Sequence, residues 1–297
     1  MAMRIIRIVL IITVFLSFAF LASFHRQAER IVTTIEVTVV DTASSSAIVA
    51  PPPIDIRELA LALPDSLLPF CHGLNSSKEV ALSFDACPTS GENHFNRTIA
   101  NTLIETKTPA TIFLSGRWVQ EDTAATQLLA TDSLIELGNH SFTHPHLTHL
   151  TEARIKKELE RTQTIIHDLT GQTPFLFRAP YGEYNDTLIR VAKGLGLVTV
   201  QFSVASGDPD TSFTAGRLVN WLTRETRNGS IVIMHINNRG WHTAQALPTI
   251  ISSLRAKGYR LVRVSDLIRE VSENLTEPTL AHSPIQQSGD PGEKDKR

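Results

Sequence analysis

Cysteine is scarce in this chain of 297 residues: two positions, Cys71 and Cys87, exclude a fold stapled by several disulfides. A surplus of one charge is missing too. Lys and Arg number 28 against 30 Asp and Glu, and a formal net charge of -2 excludes the basic surface that marks a nucleic-acid partner. No internal repeat is evident. A long apolar run occurs once, from Ile8 to Phe24, so without a second span the globular part lies on one side of any membrane.

What is present divides into four stretches. Arg4 and Arg7 precede the apolar run, and His25, Arg26 and Arg30 follow it. Its length lies between a long signal-peptide core and a short membrane span. Residues 1–30 are therefore expected to be a signal peptide or a membrane anchor. Either sends the rest out of the cytoplasm, membrane-anchored or, after cleavage, secreted or periplasmic. Residues 31–75, rich in Thr, Ser, Val and Ala with three prolines in a row at Pro51 to Pro53, read as an extended linker. Residues 272–297 lack apolar periodicity and are expected to be a disordered tail. The folded domain is expected over 76–271, and with 42% apolar residues the chain can bury a substantial core.

Strand-like and helix-like segments alternate through that domain. Val80 to Phe84, ATIFLSG, LIELGN, FLFRA, LVTVQFSV, SIVIMHI and YRLVRV read as strands. Helices are expected over Asn96 to Glu105 and around Leu188 to Leu195, Ala215 to Thr226 and Ala244 to Lys257. A longer one begins after Thr151, carries Ile155, Leu159, Ile166 and Leu169 on one face, and ends at Gly171. Such alternation implies parallel strands wrapped by helices, either a barrel or a doubly wound sheet.

Polar residues follow several strands, where such folds place their ligands. KEVALSFDACP ends on Asp85, a candidate for chemistry or a turn-forming cap helped by Pro88. GNHSFTHPHLTHL carries His140, His144, His146 and His149. Imidazoles separated by three residues converge on one cation if the backbone is tightly turned; otherwise this is a polar loop. Arg178 can pair with a carboxylate or form a surface ion pair. Pro180 and Tyr181 form a rigid turn whose N–H could face an oxyanion, and His235 closes another strand.

In order, SFDACP, HSFTH, RAPYG, SGDPD and IMH resemble the five motifs of the NodB-like polysaccharide deacetylases, the family four carbohydrate esterases, from about Lys78 to Ile268. The resemblance implies a distorted (β/α) barrel and metal-dependent removal of N-acetyl groups from an amino-sugar polymer or oligomer, peptidoglycan-like or chitin-like. It implies Asp85 as catalytic base, His140 and His144 as ligands of a divalent metal such as zinc, Arg178 as orienter of the base, Tyr181 as an oxyanion donor and His235 as general acid.

The motifs also depart from the family pattern. Members usually carry two adjacent Asp in the first motif, the second completing the metal site, and here Ala86 stands there. Ala205 replaces a carboxylate that often supports the arginine, and Pro209 a common Trp. Catalytic zinc takes three protein ligands, so Asp85, Cys87 and His242 are candidates for the third. The two cysteines of an exported domain are expected to pair, Cys71 with Cys87, the alternatives being a thiolate metal ligand at Cys87 or two small buried apolar residues. Two other functions compete: a degenerate deacetylase that binds cell-wall glycan without turnover, and an exported amidase or deformylase acting on a small or lipid-linked N-acyl sugar.

Overall fold

The computed structural model describes residues 55–88 and 95–276. The expected signal peptide or anchor, most of the linker and the tail beyond residue 276 lie outside the described residues. Among the described residues eight strands form one sheet, with every pairing between them parallel: β1 Glu79–Ala86, β2 Ala110–Leu114, β3 Ile135–Asn139, β4 Leu176–Phe177, β5 Val198–Thr199, β6 Val204–Ala205, β7 Ile231–His235 and β8 Arg260–Val262. They lie in the order β5-β4-β3-β2-β1-β7-β6, with β8 beside the start of β1.

The two edges of this order, β5 and β6, are consecutive in the chain. A sheet whose edges are joined by residues 200–203 must curl, and the result is a distorted barrel. LVTVQFSV is accordingly not one strand. Its middle changes partners: Gln201 N–H donates to the Phe70 carbonyl at 2.9 Å and Ser203 N–H to the Ile231 carbonyl at 3.1 Å. Phe70 N–H in turn donates to Thr199 O at 2.8 Å, so the segment before β1 straps the seam.

Nine helices surround the sheet among the described residues: α1 Ile56–Leu61, α2 Arg97–Glu105, α3 Gly116–Glu121, α4 Thr123–Ala130, α5 Glu152–Thr170, α6 Asp186–Gly194, α7 Ala215–Glu225, α8 Thr243–Ala256 and α9 Val264–Thr276. α5 runs as its apolar spacing predicts, from Thr151 to a left-handed Gly171 at φ 73°, although the Thr151 side chain makes no capping bond. An apolar layer between sheet and helices is built from β1, β2 and β7 against α2, α7 and α8, with Leu82, Phe84, Ile112 and Met234 among its members.

Two boundaries move. α1 falls inside the expected linker, and Ala60, Leu63 and Phe70 are buried against Leu267, Ile268 and Val271 of α9. The folded unit thus includes residues 55–75, because these apolar side chains cover one end of the barrel. α9 also continues to Thr276, past the expected start of the tail.

Candidate active site

β1 and the residue after it bring Asp85 and Cys87 to the site because side chains alternate along the strand. Val80, Leu82, Phe84 and Ala86 enter the apolar layer under the helices. Ser83, Asp85 and Cys87 share the other face. Register then sets Asp85 level with Phe113 of β2 and His235 of β7.

Arg178, just beyond β4, is wholly buried beside them. Its Nη1 donates to Asp85 Oδ1 at 2.9 Å and its Nη2 to Ser83 Oγ at 2.8 Å, while the Phe113 ring lies 4.1 Å from the guanidinium carbon. Gly138 of β3 makes room for that ring, since a Cβ there would stand 2.4 Å from it. Burial alone would push the Asp85 carboxyl up. The charges of His140, Arg178 and His235, with the Arg178 hydrogen bond, hold it below the usual carboxylate value. No carboxylate at position 205 is required: Ala205 is exposed on β6, and Arg178 is held by Ser83, Asp85 and the Gln201 carbonyl at 3.4 Å.

His140 follows β3 directly. Its Nδ1 donates to the Arg178 carbonyl at 2.9 Å, which leaves Nε2 facing Cys87 Sγ and Asp85 Oδ2, each 3.6 Å away. The next turn is tight: Ser141 and His144 take left-handed φ values of 60° and 57°, and the two imidazoles meet edge to face at 4.9 Å. Glu158 of α5 holds this loop by accepting the Phe142 and Thr143 N–H groups at 2.9 and 2.7 Å. His146 and His149 turn outward, His146 Nδ1 lying 2.9 Å from Glu183 Oε2 and its ring stacking on Tyr181.

Cys87, His140 and His144 are buried, with their ligand atoms all within 4.8 Å of one another. Among the described residues this is a group with the spacing of a metal site. His242 is not part of it, being half-buried just before α8. Asp85 lies beside it through the 3.6 Å approach to His140. Burial would raise the Cys87 thiol, yet its contacts with His140, His144 and His235 pull it well below its usual value. Burial opposes a charge on His140, and Asp85 and Cys87 favour it. The negative charge that draws a proton to His140 also favours a cation in its place. A thiolate with two imidazoles suits a borderline-soft divalent ion.

The expected Cys71–Cys87 disulfide is not formed. Cys71 donates to the Pro69 carbonyl at 3.1 Å, and both thiols are free. His72 bridges Ser230 at the start of β7, whereas the Cys87 carbonyl accepts from Asn237 beyond its end. The length of β7, about 17 Å, exceeds the roughly 7 Å Cα separation that a disulfide can close.

His235 ends β7 and meets a carboxylate that the sequence reading did not assign. Asp208 Oδ1 lies 2.8 Å from His235 Nδ1, and Oδ2 accepts the His235 N–H and Thr243 Oγ1, each at 2.7 Å. Burial works against the imidazolium, but Asp208 and the Cys87 thiolate raise its pKa to about 10. The signal lies in SGDPD, a polar run after a strand, where Asp208 stands between the departures at Ala205 and Pro209. Tyr181, at φ 61°, stands at the rim with its hydroxyl donating to the His144 carbonyl at 3.2 Å. Asp85, Cys87, His140, His144, Arg178, Tyr181 and His235 thus open on one cavity of about 180 Å³ at the carboxyl ends of the strands.

The model of one protein family, polysaccharide deacetylase, matches residues 72–200. The peptidoglycan-N-acetylmuramic acid deacetylase PdaA of Bacillus subtilis is 28% identical over 209 residues, 69% of this chain and 77% of that one. Three further curated relatives, 30% to 35% identical, are spanned over only 27% to 49% of their own lengths. Among solved structures, a family 4 carbohydrate esterase from Streptomyces lividans in complex with acetate superimposes with a TM-score of 0.55 and 33% identity over 65% of this chain and 92% of that one. A family 4 pseudoenzyme from Bacillus anthracis does so with a TM-score of 0.61 and 28% identity, covering 67% and 68%.

Proposed function

This chain belongs to the polysaccharide deacetylase family, and on that premise we propose that it hydrolyses the N-acetyl groups of a peptidoglycan-like or chitin-like amino-sugar polymer or oligomer. The observation that carries the reading is the convergence on one cavity of a Cys87, His140 and His144 donor cluster, Asp85 paired with Arg178 and His235 paired with Asp208. Each is a group that amide hydrolysis needs.

Cys87, His140 and His144 would hold the divalent ion, with zinc the best match to a thiolate and two imidazoles, and Asp85 beside them. Such an ion supplies Lewis acidity toward a carbonyl oxygen and toward water. Cys87 takes over the ligand position that Ala86 cannot fill. Arg178 occupies Asp85 Oδ1, so Oδ2 remains to accept a proton from the attacking water. The Tyr181 turn borders the position of the developing oxyanion. His235 has its Nδ1 committed to Asp208, which directs Nε2 to give a proton to the departing amine nitrogen. Acetate and a free amine result. A binder without turnover would have no use for a base and an acid that line the same cavity as the donor cluster.

Export through the N-terminal apolar run belongs to the same proposal, since glycan substrates of this kind lie outside the cytoplasm. Among the described residues no helix is long and apolar enough to cross a membrane. Acetate release from peptidoglycan and from chitin oligomers tests the reading. Release from either supports it, and none from both rejects it.

A further inference from the structure

We propose that Arg239 reads a negative substituent on the substrate, so that the preferred N-acetyl sugar carries a free carboxylate next to its acetamido group, as a muramic acid whose lactyl carboxyl bears no peptide does. The inference rests on the deacetylase reading and narrows its substrate. Two guanidinium groups line the cavity. Arg178 is buried and matched by Asp85 and Ser83. Arg239 is half-buried, and among the described residues its guanidinium has no carboxylate partner. The other charged side chains of the cavity are paired, Asp85 with Arg178 and His235 with Asp208. A neutral acetamido sugar offers Arg239 hydrogen-bond acceptors and no countercharge.

The turn that presents Arg239 is built into the site. Asn237 is fully buried; its Nδ2 donates to the Cys87 carbonyl at 2.6 Å, its Oδ1 accepts the Arg239 N–H at 3.3 Å, and its carbonyl accepts the Gly240 N–H at 3.0 Å. Gly240 lets the turn close on the acid pair, because a Cβ there would stand 2.6 Å from the His235 carbonyl and 2.9 Å from Asp208 Oδ2. Trp241 follows with its N–H on the Asp208 carbonyl at 3.3 Å and its side chain 60% exposed, an apolar face for a pyranose ring. With an acetamide at Asp85 and His235, a carboxylate ether on the neighbouring ring carbon falls at the rim, within reach of a forked donor suited to carboxylates.

The test compares acetate release from a disaccharide containing N-acetylmuramic acid with release from the N-acetylglucosamine disaccharide, for the wild type and for Arg239→Gln. The wild type is expected to favour the acidic sugar, and the variant to lose about ten- to a hundredfold in kcat/KM on it while changing little on the neutral one. Arg239→Lys should recover part of the preference. Equal preference in wild type and Arg239→Gln, or an equal loss on both sugars, overturns the proposal. If neither sugar releases acetate, the deacetylase reading has failed, and calorimetric affinities for the same two sugars decide between the same outcomes for Arg239.

Discussion

Alternation along β1 decides which residue completes the donor cluster. Ala86 faces the apolar layer, so the adjacent-aspartate arrangement of the family has no counterpart at that residue, while Cys87 shares the inward face with Asp85. Cys87→Ala should cut zinc affinity by at least an order of magnitude, because two imidazoles remain. Cys87→Asp should keep a weaker site. Competitive titration against a chromogenic chelator reads both, and unaltered affinity in Cys87→Ala would remove the thiolate from the centre. Asp208 governs the acid. A histidine raised to about 10 is protonated below that pH, so the step that needs its proton is lost as pH rises through the folded value. Asp208→Asn should therefore move the alkaline limb of the kcat profile downward, toward the ordinary histidine range; a limb that stays in place would assign that ionisation to another group.

The element that brings His140 and His144 together is a loop strained at two non-glycine residues and tied to α5. Glu158 accepts two backbone N–H groups and the Thr143 hydroxyl of that loop without touching either ring. Glu158→Ala should leave the helix intact and lower metal affinity, since left-handed backbone persists only where its surroundings hold it. Unchanged metal affinity in that variant would show that the loop needs no such tie. Spacing in the sequence lets His140 and His144 converge if the chain turns tightly, and the left-handed Ser141 and His144 supply that turn. Spacing could not show which of Cys87, Asp85 and His242 joins them, because that depends on strand phase and on where β1 stops. Asp208 escaped for a similar reason: its partner His235 lies far along the chain, and only the β6–β7 pairing makes them neighbours.

For the molecule as a whole, alternating strands and helices in the sequence specified the parallel architecture, and the ordered motifs pointed to the barrel. The seam was not legible. Residues 200–203 pass from β4 to β7 with Gln201 bonded to Phe70, which lies in a stretch whose composition resembles a tether. A protein beginning at residue 76, where composition alone would start the domain, lacks Ala60, Leu63 and Phe70. It should be destabilised by at least the ~3–5 kcal/mol that losing a buried Phe side chain costs. One beginning at residue 53 should retain full stability in denaturant unfolding, and equal midpoints for the two would contradict the strap. Both thiols should react with an alkylating agent in the denatured protein without prior reduction, as free Cys71 and Cys87 require.

The most direct measurement follows acetate release and bound metal together, in the wild type and in Cys87→Ala, as a chelator is added and zinc is restored. In the wild type, hydrolysis of an N-acetylated glycan should disappear with the metal and return with it, while Cys87→Ala should recover neither at the same zinc concentration. Hydrolysis that persists in the fully chelated protein, or full metal loading and activity in Cys87→Ala, would contradict a centre built on Cys87, His140 and His144.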